Sequence, residues 1–296
     1  MAGTAIIGLG MMGQGMARNI LKAGIDLKGY DISAPARQRF SEAGGVAVES
    51  AKAAAEGCDL LLVMVQTALQ VEAALFASGA VDALMPGSTV VLSSTIAPTD
   101  VRVFAQSLSA AGHVTLDAPV SGGQTGADAG ALTIMAAGPD AAFTRAGELL
   151  AAISRKVHRV GSEPGMGATY KVVHQLAAGV HLVAAAELMS LGVSAGCDPK
   201  MLHEIVSSSS GQSWMFDDRV PRMMSADPSP TSTVDIFVKD VGLVLQTGRE
   251  SNVPLPLAAA AHQMLIAAAG LGLGSEDDSM VVRVYEALTG KTVHES

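Results

Sequence analysis

Three glycines near the start of the chain have the spacing of a dinucleotide-binding loop. Gly8, Gly10 and Gly13 form a G-x-G-x-x-G pattern between a strand-like run and a helical one. In such a loop the first glycine permits a tight turn, the second lets the backbone approach a pyrophosphate, and the third lets helix and strand pack closely. The helix that follows offers unpaired N–H groups and a partial positive charge to the phosphates. The pattern predicts an NAD site, and a glycine-rich turn without a ligand is the alternative.

One acidic residue bears on which dinucleotide is expected. Asp31 follows the next predicted strand, 21 residues after Gly10, close to the spacing of about 20 typical of such sites. Its carboxylate would accept hydrogen bonds from the adenine ribose and repel a 2′-phosphate, which favours NAD over NADP. Arg37 argues the other way, because a guanidinium could approach that phosphate. A dinucleotide site does not define a reaction, and S-adenosylmethionine enzymes also carry glycine-rich first loops.

A second group of reactive side chains lies in the middle of the chain. Lys171, His174 and Gln175 lie near the start of a predicted long helix, at a spacing that places them on one helix face. A lysine sheltered from water has its charged form disfavoured, which lowers its pKa towards neutrality. Such a lysine is suited to move a proton to or from an alcohol or carbonyl oxygen. The alternative is a lysine at a helix start that extends its charge into water.

Hydroxyl side chains follow a predicted strand at residues 89–93. Ser93, Ser94 and Thr95 lie there, at the carboxyl end of the sheet, where open α/β sheets bind their ligands. They could contact a nicotinamide or a small polar substrate. Capping of the next helix, which Pro98 would open, explains these residues equally well.

Another candidate segment contains Ser121, Gly122 and Gly123, after a predicted strand at 114–117. A hydroxyl beside two glycines can form a backbone nest whose N–H groups suit a carboxylate. A plain Ser-Gly-Gly turn is the alternative, and the residues taken alone favour it.

The elements that must position these residues change character near the middle of the chain. In the first half, short apolar runs alternate with helical patterns, which predicts a parallel sheet with helices on both faces. The predicted strands lie at 4–7, 27–30, 60–65, 89–93, 114–117 and 133–136, and the first helices at 11–23 and 34–43. The second half shows helical patterns at 166–191, 199–207, 234–250 and 257–269, without a convincing strand. We therefore predict an α/β protein: a Rossmann-type parallel-sheet domain at 1–163 and an all-α domain at 164–296, joined by a long interdomain helix.

Composition excludes several classes of protein. Hydrophobic residues make up 49% of the 296 residues and charged residues 16%, which argues against a disordered chain. The net charge of −9 argues against nucleic-acid binding, since phosphate contacts need clustered Lys and Arg. The two cysteines, Cys58 and Cys197, fit a reducing cytosol, and no targeting segment is visible, so we expect a cytoplasmic protein. The apolar windows 176–196 and 253–274 contain polar residues and are expected to be helices buried in the domain or at a subunit contact, not membrane spans.

The remaining polar and aromatic residues carry less specific signals. The histidines at 113, 158, 181, 203 and 262 are scattered singly, so no metal site is expected. Asp235 and Lys239 have the spacing of a helical ion pair. The acidic residues at 276–278 are expected to be a solvated helix start. Trp214, the sole tryptophan, is either a core anchor or the wall of a pocket.

Taken together and in this order, these segments resemble the β-hydroxyacid dehydrogenase family, which includes 3-hydroxyisobutyrate dehydrogenase and tartronate semialdehyde reductase. The resemblance covers almost the whole chain, from the loop at Gly8 to near Glu286. It is closest to the L-threonate dehydrogenase branch, which acts on four-carbon sugar acids. That likeness rests on HQ at 174–175, GQSWMF at 211–216, VDIFVKD at 234–240 and EDDS at 276–279.

The resemblance implies a role for each matching position. Lys171 matches the family's catalytic lysine, and the segment 121–123 matches its carboxylate-binding segment. Thr95 matches a residue near the nicotinamide and the substrate, and Lys239 matches a lysine that contacts cofactor or substrate. The implied substrate-binding residues are Ser121, Gly122, Gly123, Thr95, His174, Gln175 and Lys239. The implied cofactor-binding residues are Gly8, Leu9, Gly10, Met11, Met12, Gly13, Asp31, Val65, Thr95 and Lys239.

One departure from the family bears on the substrate. Most relatives have Asn-Asn where this chain has His174 and Gln175, and their second asparagine contacts the substrate. A longer amide beside an imidazole implies a more polar pocket, which suits a polyhydroxylated acid better than a branched aliphatic one.

The expected function is NAD-dependent oxidation of the C2 hydroxyl of a four-carbon, L-threonate-like sugar acid to the 2-keto acid. The segment 121–123 would hold the carboxylate, and Lys171 would manage the hydroxyl proton. The alternatives are tartronate semialdehyde reductase, 3-hydroxyisobutyrate dehydrogenase, and a cofactor-binding protein without catalysis. We expect a homodimer or homotetramer, with no nucleic-acid or membrane partner.

Overall fold

The computed structural model describes residues 3–294, which divide into two compact units. The first unit ends at Lys171 and the second begins at Val172, inside one long helix. The predicted fold class, a Rossmann-type sheet followed by a long helix and an all-α part, is confirmed. The domain bounds 1–163 and 164–296 stay a prediction, and their outermost residues, 1–2 and 295–296, lie outside the described part of the chain.

A single sheet organises the first unit. Over residues 3–294 its nine strands are β1 (Gly3–Ile7), β2 (Leu27–Tyr30), β3 (Val46–Ala47), β4 (Cys58–Val63), β5 (Thr89–Leu92), β6 (Val114–Asp117), β7 (Val120–Ser121), β8 (Leu132–Ala137) and β9 (Ser154–Gly161). They lie in the order β3-β2-β1-β4-β5-β6-β8-β7, with β9 beside β8. The first six strands are parallel, and β8 is antiparallel to β6 and β7 but parallel to β9. In this doubly wound order the chain reverses direction across the sheet between β1 and β4, where such sheets bind ligands.

The helices of the first unit cover both faces of the sheet. They are α1 (Met11–Lys22), α2 (Ala34–Glu42), α3 (Ala51–Ala55), α4 (Ala68–Glu72), α5 (Ala80–Ala83), α6 (Pro98–Ala110), α7 (Gly123–Asp128) and α8 (Asp140–Ile153). Successive side chains of a strand alternate between two cores: Ile6 and Leu62 pack in one, and Ala5 and Leu61 pack in the other. Burial of both faces explains why a continuous apolar run, and not an alternating one, marks β4.

Three strands were not predicted from the sequence. Both β3 and β7 have only two residues, too few for a pattern. Strand β9 carries the exposed residues Arg155, Lys156, His158 and Arg159 at an edge of the sheet. Charged side chains on an edge strand discourage pairing with another chain, and they also hide the strand from a search for apolar runs.

The second unit is built from helices around an aliphatic core. Over 172–294 it contains most of α9 (Met166–Ser194), then α10 (Pro199–Ser207), α11 (Trp214–Met223), α12 (Val234–Glu250), α13 (Pro256–Ala268) and α14 (Val282–Thr289). The core includes Leu182, Val241 and Leu265. Gly179 lets α9 and α12 approach closely, because a Cβ there would lie 2.4 Å from the Val241 side chain. Helix α11 was not predicted, since Pro221 lies inside it.

Two helices are long and apolar enough to cross a membrane by those two criteria, Met166–Ser194 and Pro256–Leu273. Core helices of folded domains pass the same test. The most apolar window of the first helix is 50% buried, as expected of a core helix, whereas that of the second is 22% buried. The second segment is therefore not buried within its own unit, and its burial at a subunit contact stays a prediction.

Candidate active site

The glycine-rich loop after β1 has the shape that a pyrophosphate needs. Gly8 has a φ of +97°, and a Cβ there would lie 2.1 Å from the Met64 carbonyl oxygen. A Cβ at Gly13 would lie 2.0 Å from the Gly8 carbonyl oxygen, so α1 begins directly against the loop. A Cβ at Gly10 would meet nothing within 4 Å, which leaves that surface open to a ligand. The first turn of α1 contains neither a side-chain cap nor an acidic residue. No group of α1 therefore reduces the partial positive charge that its N-terminus offers to an anion.

Backbone hydrogen bonds hold Asp31 beside this loop. Its Oδ2 accepts from the Leu9 N–H at 2.7 Å, and its Oδ1 accepts from the Ser33 N–H at 2.8 Å. Because β1 and β2 are neighbours in the sheet, the end of β2 reaches the loop that follows β1. A carboxylate oxygen has more than one acceptor position, so Asp31 keeps the capacity to accept ribose hydroxyls.

The guanidinium of Arg37 is tied to this region of the first unit. Its Nη1 donates to the Asp31 carbonyl oxygen at 2.8 Å, and its Nη2 pairs with Glu49 Oε2 at 2.8 Å. The Arg37 guanidinium also lies 5.9 Å from the centre of the Tyr30 ring. The Glu49 carboxylate offsets the charge that would otherwise attract a 2′-phosphate.

Two buried serines join the carboxyl ends of the central strands. Ser94, which follows β5, accepts through Oγ from the N–H of Val65, which follows β4, at 3.0 Å. Ser93 Oγ donates to the Ala118 carbonyl oxygen at 3.0 Å. Helix α6 begins at Pro98, after Ala97, without a side-chain cap, so neither serine caps that helix. The bonds hold the segments that carry Val65 and Thr95 at the same end of the sheet.

A buried acid at the end of β6 anchors the start of α9. Asp117 Oδ2 accepts from the Gly165 N–H at 2.8 Å and from the Ala168 N–H at 2.9 Å. Burial raises the pKa of the Asp117 carboxyl to about 6, although these backbone donors act to lower it. A Cβ at Gly167 would lie 2.5 Å from the Met135 carbonyl oxygen, so the helix begins in direct contact with the sheet.

Lys171 lies one helical turn after this anchor. Only 6% of its surface is exposed, so it is not a lysine that extends into water. The hydrogen bond from Ala168 to Asp117 fixes the start of α9 against the sheet. Because Lys171 lies three residues after Ala168, this bond also fixes the position of Lys171 in the first unit.

The segment after β7 has a backbone that only glycine adopts readily. Gly122 has a φ of +128° and Gly123 a φ of +60°, directly after Ser121. A Cβ at Gly123 would meet nothing within 4 Å. Successive positive φ values are unusual for other residues, so this backbone requires glycine at both positions.

In the second unit, four polar side chains form a continuous chain of contacts. His174 Nδ1 lies 2.9 Å from Gln175 Oε1, and Gln175 Nε2 donates to Asp240 Oδ2 at 2.6 Å. Lys239 Nζ lies 2.6 Å from the other oxygen of that carboxylate, Oδ1. Gln175 and Asp240 are 6% and 3% exposed. These side-chain contacts connect α9 to α12. They join three predicted site residues, His174, Gln175 and Lys239, through Asp240, which was not predicted as a site residue.

Comparisons with known proteins identify the family. Residues 4–161 match the NAD binding domain of 6-phosphogluconate dehydrogenase, and residues 165–285 match the family described as NAD-binding of NADP-dependent 3-hydroxyisobutyrate dehydrogenase. L-threonate dehydrogenase of Cupriavidus necator is 45% identical over 284 residues, which are 96% of each chain. The chain belongs to the β-hydroxyacid dehydrogenase family.

Two solved structures share its fold. A crystal structure of 3-hydroxyisobutyrate dehydrogenase from Salmonella typhimurium is 42% identical, with a TM-score of 0.90, and the match covers 95% of this chain and 99% of that one. Psf3 in complex with NADP+ and 2-OPP is 25% identical, with a TM-score of 0.88, and the match covers 95% and 99%.

As a β-hydroxyacid dehydrogenase, the protein is an oxidoreductase that binds NAD(P) and acts on the CH–OH group of a small hydroxyacid. The prediction of a dehydrogenase is confirmed, so the open alternatives of a turn without a ligand and of a protein without catalysis are excluded. Among residues 3–294, no group of three or more His, Cys, Asp or Glu side chains could hold a metal ion.

Two acids that hold this dehydrogenase's polar residues were not predicted from the sequence. Asp117 was placed only at the end of a predicted strand, and Asp240 only at the end of a family motif. Gly165, the partner of Asp117, lies 48 residues away along the chain, and Gln175, the partner of Asp240, lies 65 residues away. An apolar pattern around each acid was the only local signal that it would be buried.

Two expectations about the second unit need correction. The acidic segment at 276–278 is not a solvated helix start: Asp277 and Asp278 are fully buried, and Arg219 donates to Asp278 through Nε at 2.6 Å and Nη2 at 2.9 Å. Trp214 is 54% exposed and lies 5.8 Å from the Arg219 guanidinium, so it is not a core anchor. A local cluster of acids was taken as exposed because its partner lies on another helix.

Proposed function

We propose that the protein oxidises the C2 hydroxyl of a four-carbon sugar acid, L-threonate or a close analogue, to the 2-keto acid with NAD. The observation that carries this proposal is the likeness to L-threonate dehydrogenase over 96% of both chains. The polar pair His174 and Gln175 supports it, because a buried amide and an imidazole suit a substrate with several hydroxyl groups.

In this proposal Lys171 moves the hydroxyl proton. When NAD is bound, it supplies the oxidation by accepting a hydride from the carbon that bears the hydroxyl. The hydroxyl oxygen must lose its proton as the carbonyl forms, and an amine held close to that oxygen is a suitable general base. Support comes from the burial of Lys171 and from the Asp117 anchor one turn before it, which limits the movement of this part of α9.

The carboxylate of the substrate is assigned to Ser121, Gly122 and Gly123. Support comes from the open surface at Gly123, where a Cβ would meet nothing within 4 Å and a ligand can approach the backbone. Thr95, His174, Gln175 and Lys239 are assigned to the remaining substrate contacts, in which polar side chains meet hydroxyl groups.

For the cofactor, we assign the pyrophosphate to the loop from Gly8 to Gly13, with Leu9, Met11 and Met12 between the glycines. Asp31 is assigned to the adenine ribose, and Val65, Thr95 and Lys239 to the nicotinamide half. NAD is preferred over NADP because the Asp31 carboxylate repels a 2′-phosphate and Glu49 offsets the charge of Arg37.

A second candidate substrate is 3-hydroxyisobutyrate, since a structure with that enzyme name is 42% identical to this chain. A panel of three- and four-carbon hydroxyacids decides between the two, with NAD or NADP reduction followed by absorbance. We expect the highest kcat/KM with L-threonate and NAD. A higher value with 3-hydroxyisobutyrate, or with tartronate semialdehyde in the reverse direction, would refute the proposed substrate while leaving the family unchanged.

We also infer that the enzyme works in the cytoplasm as a homodimer or homotetramer. The exposed apolar surface of Pro256–Leu273 supports an assembly, because a single chain leaves that segment largely uncovered. Light scattering of the purified protein measures the assembly directly, and a monomer at micromolar concentration would refute it.

A further inference from the structure

The polar chain in the second unit restricts the chemistry of one of its members, His174. The buried acid Asp240 contacts Lys239 through Oδ1 and Gln175 through Oδ2, each at 2.6 Å. An ammonium group can only donate hydrogen bonds, and an ionised carboxylate can only accept them. The contact with the Lys239 ammonium therefore places Asp240 as the acceptor in this group of side chains.

An ionised Asp240 determines the orientation of the neighbouring amide. Because the carboxylate only accepts, the NH2 group of Gln175 must face it, and this is the contact that Nε2 makes. The amide oxygen of Gln175 then faces the opposite way, where Oε1 lies 2.9 Å from His174 Nδ1. An amide carbonyl oxygen cannot donate, so His174 Nδ1 must carry the proton of this hydrogen bond.

A neutral imidazole that carries its proton on Nδ1 has a lone pair on Nε2. The orientation set at Asp240 thus passes through Gln175 and makes Nε2 of His174 a hydrogen-bond acceptor. The hydroxyl groups of a sugar acid beyond C2 are donors that an acceptor of this kind can distinguish from methyl or methylene groups.

We propose that Asp240 is a positioning residue that, through the amide of Gln175, holds His174 as the Nδ1-protonated tautomer and so makes its Nε2 atom an acceptor for a substrate hydroxyl beyond C2. The assignment to a substrate hydroxyl rests on the proposed function, whereas the tautomer does not. His174 thereby becomes a specificity-determining residue for polyhydroxylated acids.

The first test reads the tautomer without turnover. The protein is labelled with 15N-histidine, and the His174 signals are assigned by their loss in His174→Asn, a substitution that introduces the residue of most relatives. At about pH 8, above the range in which imidazoles usually titrate, we expect the His174 proton on Nδ1. A wild-type protein with that proton on Nε2 would overturn the proposal.

A one-group substitution should reverse the tautomer. In Asp240→Asn the new amide oxygen faces the Lys239 ammonium, because two donors facing each other repel, and the new NH2 group faces Gln175. The Gln175 amide then flips, its NH2 group faces His174, and the proton of His174 moves to Nε2. Asp235→Asn makes the same charge change at an exposed position of α12 and should leave the His174 spectrum unchanged. An unchanged His174 tautomer in folded Asp240→Asn contradicts the proposal.

The second test links the tautomer to specificity. We compare kcat/KM for L-threonate with that for 2-hydroxybutyrate, which lacks the hydroxyls at C3 and C4. Asp240→Asn should lower the ratio of the two values about tenfold, the effect of one lost hydrogen bond to a buried group. In the His174→Asn background the same substitution should change the ratio less than about twofold, because the acceptor is already absent. An equal effect in both backgrounds would show that Asp240 does not act through His174.

The two tests separate the two proposals. An Nδ1-protonated His174 in a protein that oxidises neither acid would refute the proposed function and leave the positioning role standing. Preferential oxidation of L-threonate by a protein whose His174 is protonated on Nε2 would refute the positioning role alone.

Discussion

At the scale of single residues, the sequence identified the groups that act through local geometry and missed those that act through distant partners. Gly8 and Gly13 were predictable because their roles follow from spacing alone, and the close approach of each to the backbone agrees. Lys171 was singled out by its place near the start of an apolar helix; its burial agrees with that, and its catalytic role stays a prediction. Asp117 and Asp240 were missed because the hydrogen bonds that define them cross from one element to another.

Cofactor preference is a residue-scale prediction. Asp31→Ala removes the carboxylate that would repel a 2′-phosphate and bind the ribose, so we expect the ratio of kcat/KM for NAD to that for NADP to fall about tenfold or more. Asp26→Ala removes an acidic side chain from an exposed position just before β2 and serves as the control. Unchanged discrimination in Asp31→Ala would remove Asp31 from the cofactor site.

At the scale of elements, strand and helix positions followed from hydrophobic pattern wherever that pattern was strong. The long helix begins at residue 166 as predicted, and the central strands lie close to their predicted positions. Strand β9 was not predicted because its exposed charged side chains do not form a run or an alternation of apolar residues. How α9 attaches to the sheet was also beyond the sequence, since the attachment is one carboxylate oxygen of Asp117 that accepts from two backbone N–H groups.

The attachment of α9 should depend on pH. Burial raises the pKa of Asp117 from 3.8 to about 6, so its protonated form is favoured in the folded protein. The contribution of protonated Asp117 to the free energy of unfolding is fully present below the pKa that this carboxyl has in the unfolded chain. That contribution is lost as pH rises through about 6. Asp117→Asn keeps one oxygen for the two N–H donors and does not ionise. Between pH 4 and pH 8, we expect the free energy of unfolding of wild type to fall by about 2 kcal/mol relative to that of the variant.

Urea titrations at several pH values measure this difference. Asp140→Asn, at an exposed acid at the start of α8, is the control and should run parallel to wild type. A wild type that gains stability relative to Asp117→Asn as pH rises would show that the backbone donors outweigh burial at this carboxyl.

At the scale of the whole molecule, each unit has its own core, and aromatic residues make up only 3% of the chain. The first unit follows from a repeating strand–helix pattern, which explains why its architecture was predictable. The second unit adds buried charges to its aliphatic core: the side chain of Arg219 is 6% exposed and that of Asp278 is fully buried. A buried ion pair between separate elements cannot be recognised from local composition, which is why 276–278 was placed in solvent.

Removal of this buried pair should destabilise the second unit. Arg219→Met leaves the Asp278 carboxylate buried without its main partner, so we expect a loss of about 3–5 kcal/mol in the free energy of unfolding. Arg18→Met breaks an exposed pair with Asp128 and should cost less than about 1 kcal/mol. Urea unfolding followed by the fluorescence of Trp214, the sole tryptophan, reports on the second unit. Equal losses in the two variants would contradict the structural role of the buried pair.

The central claim is that Lys171 moves the hydroxyl proton of a sugar acid, and turnover of L-threonate by Lys171→Ala tests it most directly. NADH formation and NAD affinity are measured together, with Lys156→Ala, at an exposed position of β9, as the matched control. We expect kcat of Lys171→Ala to fall by about 10²–10⁴, with NAD affinity retained and the control unaffected. Near-normal turnover by Lys171→Ala would contradict the proposed chemistry.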